Sequence, residues 1–171
     1  KSETLNSIIP PALKKSDNLV FDSLYLKIIN SQNTTEVRDW NDGDAIIKDL
    51  IKKYFNIDMQ GANFVDGSGV SRYDRVQPRK LFALLQQGYS MSEFVTALPS
   101  PREPNSSLAK RTDLLPYIKA KTGTMASIKC LCGYSITNHP QAFVIVASGF
   151  APPAQEMHPI LDNFVNRHVG K

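Results

Sequence analysis

Residues 117–148 read YIKAKTGTMASIKCLCGYSITNHPQAFVIVAS, and the fold class of the chain is predicted mainly from them. It contains three segments rich in β-branched, aromatic and small apolar residues: 117–121, 127–136 and 142–148. Each segment predicts a β-strand, and the connections at 122–124 and 137–140 are short enough for antiparallel hairpins. Because positions 142–147 are all apolar, we expect the last strand in the interior of a sheet, covered on both faces.

Helical spacing of apolar residues dominates the rest of the chain. It marks five segments: 19–29, 46–55, 81–87, 91–98 and 155–168. Pro10-Pro11 is expected to interrupt any helix at that point. The closing helix is expected to turn four apolar residues toward the core: Ile160, Leu161, Phe164 and Val165.

These patterns predict one domain over residues 1–171, mainly helical over 1–115, with the strands and a closing helix over 116–171. The predicted fold class is α/β of the α+β type, an antiparallel sheet flanked by helices. No apolar run approaches the length of about 20 residues that a membrane span needs.

The composition of the chain argues against some kinds of binding partner. The chain has 171 residues, 42% of them hydrophobic, and a net charge of +4 spread without basic runs. Nucleic-acid binders cluster their positive charge, so no nucleic-acid partner is expected, whereas a mild positive bias suits a substrate with a free carboxylate. Cys130 and Cys132 are expected to be small buried thiols, and neither a metal nor another cofactor is expected.

Two short motifs carry chemistry, Ser16-Asp17-Asn18 and Lys121-Thr122-Gly123. They match two of the three signatures of active-site serine penicillin-recognising enzymes. A serine hydroxyl attacks well only when a nearby amine takes its proton, and a second hydroxyl with a second lysine can pass that proton on. An Asn side chain can hold a substrate amide, and strand N–H groups can stabilise an oxyanion.

The resemblance extends over nearly the whole chain, roughly residues 3–168. It rests on three segments in a fixed order: 14–28 (KKSDNLVFDSLYLKI), 66–72 (DGSGVSR) and 121–136 (KTGTMASIKCLCGYSI). Together they resemble the D-alanyl-D-alanine carboxypeptidase/endopeptidase family of class C low-molecular-mass penicillin-binding proteins. The resemblance implies the serine β-lactamase/DD-peptidase fold, with a peptidoglycan stem peptide or a β-lactam as ligand.

The resemblance also implies catalytic roles for three residues: Ser16, Asn18 and Lys121. Ser16 is similar to the family's middle-motif serine in the proton network, and Asn18 to the residue that orients the substrate amide. Lys121 is similar to the strand lysine that supplies positive charge and a proton relay. Asp17 is implied to be structural.

Substrate binding is implied for a second set: Thr122, Gly123, Thr124, Ser68 and Arg72. The two threonine hydroxyls would grip the substrate carboxylate, and the Thr124 N–H would form half of an oxyanion hole. Gly123 lets a substrate backbone lie close to the strand. Ser68 and Arg72 match positions that contact the polar end of the stem-peptide side chain. The alternatives are a plain glycine-rich turn at 66–69 and a surface cation at Arg72.

One signature is absent in its expected place, the Ser-x-x-Lys nucleophile upstream of Ser16. The only literal match, Ser107-Leu108-Ala109-Lys110, follows Ser16 and is interpreted as a chance match. In the family a five-stranded sheet takes its first two strands from the N-terminal part of the protein. We therefore expect this chain to be the C-terminal portion of an enzyme and inactive alone. An unpaired edge at 142–148 would bind the missing N-terminal part or form a dimer.

Two other functions stay open. One is a non-catalytic module that recognises peptidoglycan or penicillin. The other is a β-lactamase fragment, which would need a glutamate acting through water, and Glu36 lacks the expected context. Residues 1–4 show no signal-peptide pattern. A periplasmic or secreted location is therefore implied only by the family and its substrate.

Overall fold

A computed structural model of the chain describes residues 3–31, 38–151 and 153–169. They form two compact units. One combines the segment up to Ser16 with the segment from Leu85 onward, and the other spans Asp17–Leu84. Among the helices of these ranges, none has both the length and the hydrophobicity of a membrane span.

Helices and strands follow one another along the chain in the predicted order. Their bounds are α1 Leu5–Lys15, α2 Asn18–Asn30, α3 Gly43–Phe55, α4 Pro78–Gly88, α5 Ser92–Ala97, β1 Ile118–Met125, β2 Ile128–Ser135, β3 Gln141–Ser148 and α6 Met157–His168. Short 3-10 turns, Trp40–Asp42 and Ala154–Glu156, precede α3 and α6. The predicted helices and all three predicted strands are therefore confirmed.

The prediction that Pro10-Pro11 interrupts the first helix is wrong, because α1 runs through both prolines. Each proline removes one N–H from the helical ladder and crowds the carbonyl four residues earlier. This cost is offset by packing, since α1 contacts α5 and buries Ala12 and Leu13. Tertiary burial thus decides the helix where local propensity opposes it.

The strands form one antiparallel sheet in the order β1-β2-β3. Residues 122–124 were predicted as a hairpin connection, and this is wrong. They lie inside β1, and the turn follows at Ala126-Ser127, where Ser127 has a left-handed φ of 56°. Gly123 suggested a turn, but here a glycine leaves room for the neighbouring strand. A Cβ built on it would lie 2.3 Å from the Cys130 sulfur.

The sheet has a core on each face. One core combines strand residues with α6 and the segment before β1: Leu108, Leu114, Ile118, Ala120, Leu131, Phe143, Val165 and Val169. The other packs Tyr134 of β2 against Leu85 of α4 and Leu98. Tyr134 is fully buried, and its hydroxyl donates a 2.7 Å hydrogen bond to the Leu85 carbonyl.

Two burial predictions for the last third of the chain are wrong. On α6, Leu161 and Val165 are buried as predicted, but Ile160 is 58% exposed and Phe164 52% exposed. Only one face of a helix can pack against the sheet, so apolar residues on its other faces stay exposed to water. Within the described residues β3 pairs with β2 alone, so the unpaired edge expected at 142–148 is present, but the expected coverage of both faces is wrong, since Val146 is 44% exposed.

Candidate active site

Ser16 lies at the junction of two helices. It ends α1 in the left-handed conformation, with a φ of 57°, and its N–H donates to carbonyls of the last turn of α1. Asp17 then begins α2, and its carboxylate accepts a 3.2 Å hydrogen bond from the Val20 N–H. Asp17 is therefore occupied as the N-terminal cap of α2.

The Ser16 hydroxyl is joined to the second motif. The Nζ atom of Lys121 donates a hydrogen bond to Ser16 Oγ, and it also donates to the Thr122 carbonyl at 2.9 Å. Both Ser16 and Lys121 belong to the same compact unit. The structure thus brings together the first residue of each motif, although 105 positions separate them in the chain.

Burial shapes the electrostatics of Lys121. Loss of solvent lowers its pKa below the usual 10.5, which favours release of a proton. Cys132 lies directly across from Lys121 in the β1–β2 register, and Cys130 lies across from Gly123. Burial also raises the pKa of both thiols, that of Cys132 to about 12, so they stay neutral at pH 7 and do not offset the ammonium charge.

The Thr122–Thr124 segment lies on an edge strand. Among the described residues β1 pairs only with β2, so one side of its backbone is left for another extended chain. Thr124 is exposed and Thr122 is half-buried. Since successive side chains alternate between the two faces of a strand, the side chains of both threonines lie on the face of β1 away from the Lys121 side chain. The arrangement can bind an extended peptide by strand addition.

Ser107, from the literal Ser-x-x-Lys match, has a structural environment. Its N–H donates a 2.8 Å hydrogen bond to the Lys14 carbonyl at the end of α1. Its hydroxyl is buried and has no hydrogen-bond partner among the residues that the structure describes. Lys110 is exposed. These residues do not form the serine–amine pair that a nucleophile requires.

The remaining predicted residues belong to the other unit. Asn18 is exposed at the start of α2. Ser68 is half-buried, and its hydroxyl donates to Asp66 at 3.3 Å. Asp66 also accepts the Ser71 N–H at 2.7 Å, so the 66–72 segment is a hydrogen-bonded loop. Arg72 is exposed on that loop. Glu36, the β-lactamase candidate, lies outside the described residues.

The sequence reasoning missed Asp22. Its Oδ1 atom accepts hydrogen bonds from the Gly67 N–H at 3.1 Å and the Ser68 N–H at 2.9 Å. The signal was present, because Asp22 follows Asn18 by four residues and so lies on the same face of α2. Only the structure shows which loop that face meets.

Comparison with known proteins places this chain among D-alanyl-D-alanine carboxypeptidases. Residues 1–166 match the model of the D-Ala-D-Ala carboxypeptidase 3 (S13) family. A D-alanyl-D-alanine carboxypeptidase of Actinomadura sp. (strain R39) is 30% identical over 164 residues, covering 90% of this chain and 30% of that protein. The chain thus spans about a third of the length of this curated relative.

Solved structures agree on the fold. Penicillin binding protein 4 of Haemophilus influenzae, in complex with a β-lactam, matches with a TM-score of 0.82 and 20% identity, over 96% of this chain and 41% of that one. The predatory endopeptidase Bd0816 of Bdellovibrio bacteriovorus, in complex with an immunity protein, matches with a TM-score of 0.75 and 17% identity, over 96% and 43%. On the family match, which the joined Ser16 and Lys121 motifs support, this chain belongs to the D-Ala-D-Ala carboxypeptidase 3 (S13) family.

Proposed function

We propose that this chain supplies the substrate-binding strand and part of the proton network of a serine-type D-Ala-D-Ala carboxypeptidase or endopeptidase. The parent protein would act on peptidoglycan stem peptides through an acyl-enzyme. The observation that carries the proposal is the hydrogen bond from Lys121 to Ser16. Family membership supports the substrate class.

The proposed reaction begins outside this chain, with a serine of a Ser-x-x-Lys motif in the rest of the parent. Its oxygen bonds to the carbonyl carbon of the scissile amide, and the carbon–nitrogen bond breaks. The serine proton passes through the Ser16–Lys121 pair to the leaving amine. Water then attacks the ester, which releases the shortened peptide and restores the serine. The lowered pKa of Lys121 suits this relay, because the lysine must accept and return a proton near neutral pH.

Substrate binding is proposed along β1. The carboxylate of the terminal residue would meet the hydroxyls of Thr122 and Thr124. The Thr124 N–H would donate to the oxyanion that forms as the carbonyl is attacked. Gly123 carries no side chain, so the peptide backbone can lie close to the strand. Asn18, Ser68 and Arg72 are proposed to hold the amide and the polar end of the stem-peptide side chain.

The rest of the parent protein is the proposed partner of β3 and α6. In the described residues β3 has one unpaired edge, and Val146, Ile160 and Phe164 leave apolar surface in contact with water. An apolar strand edge that is long and exposed associates readily. The curated relative is about three times as long as this chain, which leaves ample polypeptide to cover it. Without that polypeptide we expect self-association and no acylation.

Peptidoglycan lies outside the cytoplasmic membrane, so the parent is proposed to be periplasmic or secreted. A non-catalytic module that recognises peptidoglycan remains the alternative function, and it shares the carboxylate site on β1. A β-lactamase fragment is less well supported, because family membership favours the peptidase.

Labelling with a fluorescent penicillin tests the proposal. The full-length parent should be labelled covalently, and this chain alone should not. Labelling of this chain alone would make Ser107 the nucleophile and overturn the proposed relay. If the parent binds the compound reversibly but forms no covalent adduct, the non-catalytic module is correct instead.

A further inference from the structure

The loop that carries Ser68 and Arg72 is anchored to one helix. Asp22, in the second turn of α2, accepts hydrogen bonds at Oδ1 from two consecutive loop amides, Gly67 and Ser68. The same helix begins at Asn18, one turn earlier. Asp22 is half-buried, and hydrogen bonds that a carboxylate accepts from backbone amides are stronger than those between neutral groups.

The contact between loop and helix is also close. A Cβ built on Gly67 would lie 2.2 Å from the Phe21 carbonyl oxygen and 2.7 Å from Tyr25 Cβ. Only glycine allows the loop backbone to approach α2 this closely. Tyr25 adds a third link, because its hydroxyl donates a 2.8 Å hydrogen bond to the Phe64 carbonyl just before the loop.

Hydrogen bonds within the loop also hold its shape, in addition to its contacts with α2. The Asp66 carboxylate accepts the Ser68 hydroxyl and the Gly69 and Ser71 amides. Asp74 accepts the Val65 N–H at 2.6 Å on the far side. A loop that is rigid internally moves as one piece, so its position is set where it is attached to α2.

We infer that Asp22 is a positioning residue, which fixes Ser68 and Arg72 relative to Asn18 by holding the Gly67 and Ser68 amides against α2. This inference rests on the proposed function. Asp22 touches no reacting atom. Its role is to set the distance between the end of the substrate held by Asn18 and the end held by the loop.

The test compares two β-lactams on the full-length parent protein. One is benzylpenicillin, which has an apolar side chain, and the other is a penicillin whose side chain ends in an amino acid, with a free amine and carboxylate. Asp22→Ala should slow acylation by the second compound about tenfold, since a small displacement of binding groups has a large effect on rate. Acylation by benzylpenicillin should change by less than about twofold, because its apolar side chain offers Ser68 and Arg72 no polar group to bind.

Two further variants separate positioning from folding. Asp22→Asn keeps an acceptor oxygen, so the ratio of its acylation rates for the two compounds should stay within about threefold of the wild-type ratio. Gly67→Ala leaves Asp22 intact but forces the loop away from Phe21, and it should reproduce the selective loss. Ser23→Ala is the matched control, because Ser23 is exposed on α2 and its hydroxyl bonds only within the helix, to the Leu19 carbonyl.

Amide hydrogen exchange gives a readout that does not depend on activity. Exchange at Gly67 and Ser68 should accelerate in Asp22→Ala and stay unchanged in Ser23→Ala. An equal loss for both compounds, or unchanged selectivity and exchange in Asp22→Ala, would overturn the inference while the proposed function stands. If the wild-type parent is acylated by neither compound, the proposed function and the substrate side of the inference both fail, and exchange still decides whether Asp22 holds the loop.

Discussion

Lys121 donates a hydrogen bond to Ser16 across 105 residues of chain, and the pair joins the end of α1 to an edge strand of the sheet. The contact combines a hydroxyl with an amine whose pKa is lowered by burial. A protonated lysine in that position is costly for the fold, because the interior solvates charge poorly. The pair therefore links stability and chemistry at one place, and variants at Lys121 should separate them.

Replacing Lys121 with methionine should greatly slow acylation of the parent by penicillin while preserving the fold. Loss of a proton-transfer group costs roughly 100-fold to 10,000-fold in rate. The free energy of unfolding at pH 7 should stay equal or rise by about 1 kcal/mol, because a buried charge is removed. Lys119→Met is the control on the same strand face, since Lys119 bonds only to the Leu98 carbonyl. A fall of more than about 1 kcal/mol for Lys121→Met would show that the charge stabilises the fold.

The pH dependence of stability should differ between the same two proteins. Lys121 has a lowered pKa when folded and the usual value near 10.5 when unfolded. Between these values the unfolded chain holds the proton that the folded lysine has released, so the stability of the wild type rises with pH. Lys121→Met should lack this rise in urea unfolding curves recorded from pH 7 to pH 10. If the stability of the wild type and of Lys121→Met changed with pH in the same way, the lowered pKa of Lys121 would be contradicted.

Gly123→Ala should destabilise the sheet, and a second substitution should relieve it. The new Cβ would lie 2.3 Å from the Cys130 sulfur, an overpacking that costs about 1–3 kcal/mol. Cys130→Ala removes that sulfur, so the double variant should recover at least half of the loss. Cys132→Ala lies two residues away on the same strand face and should give no recovery. If the stability losses of Gly123→Ala and Cys130→Ala simply add in the double variant, the new Cβ does not clash with the Cys130 sulfur.

Tyr25 should make the chain sensitive to alkali. Burial, with the negative charges of Asp44, Asp74 and Asp66, raises its pKa from 10.0 to about 12. Above pH 10 the unfolded chain releases the phenol proton and the folded chain keeps it, so stability falls between pH 10 and pH 12. Tyr25→Phe should lose about 1 kcal/mol at pH 8, from the hydrogen bond to the Phe64 carbonyl, and show a shallower decline above pH 10. Exposed Tyr54→Phe should show neither change.

The exposed edge of β3 predicts self-association of the isolated chain. Sedimentation velocity should show dimers or larger species, and Val146→Lys should shift the population toward monomer, because charge on an edge strand opposes pairing. Leu19→Lys places the same charge on an exposed apolar residue of α2 and should have no such effect. A strictly monomeric wild-type chain at high concentration would contradict the proposed role of the edge.

Local patterns predicted most of the fold, and the errors have physical causes. The helices around Tyr25 and Val165 follow from apolar spacing, and the strands follow from their composition. Pro10-Pro11 misled because packing against α5 outweighs the lost backbone bonds. Gly123 misled because glycine marks both turns and close approaches, and only the facing Cys130 sulfur tells which applies.

The candidate site was partly predictable in the same way. The two motifs named Ser16 and Lys121, but the hydrogen bond between them depends on tertiary structure. Asp22 was missed because its partners are backbone amides 45 and 46 residues away, and backbone groups leave no mark in a sequence pattern. Side chains that bond to distant backbone are the part of a site that residue types alone do not reveal.

Ser16 keeps a left-handed backbone that glycine adopts at lower energy. A serine at this position therefore carries a conformational penalty on the order of 1 kcal/mol relative to glycine. Glycine or asparagine would adopt the same backbone at a lower conformational cost, but either would remove the hydroxyl that accepts the hydrogen bond from Lys121.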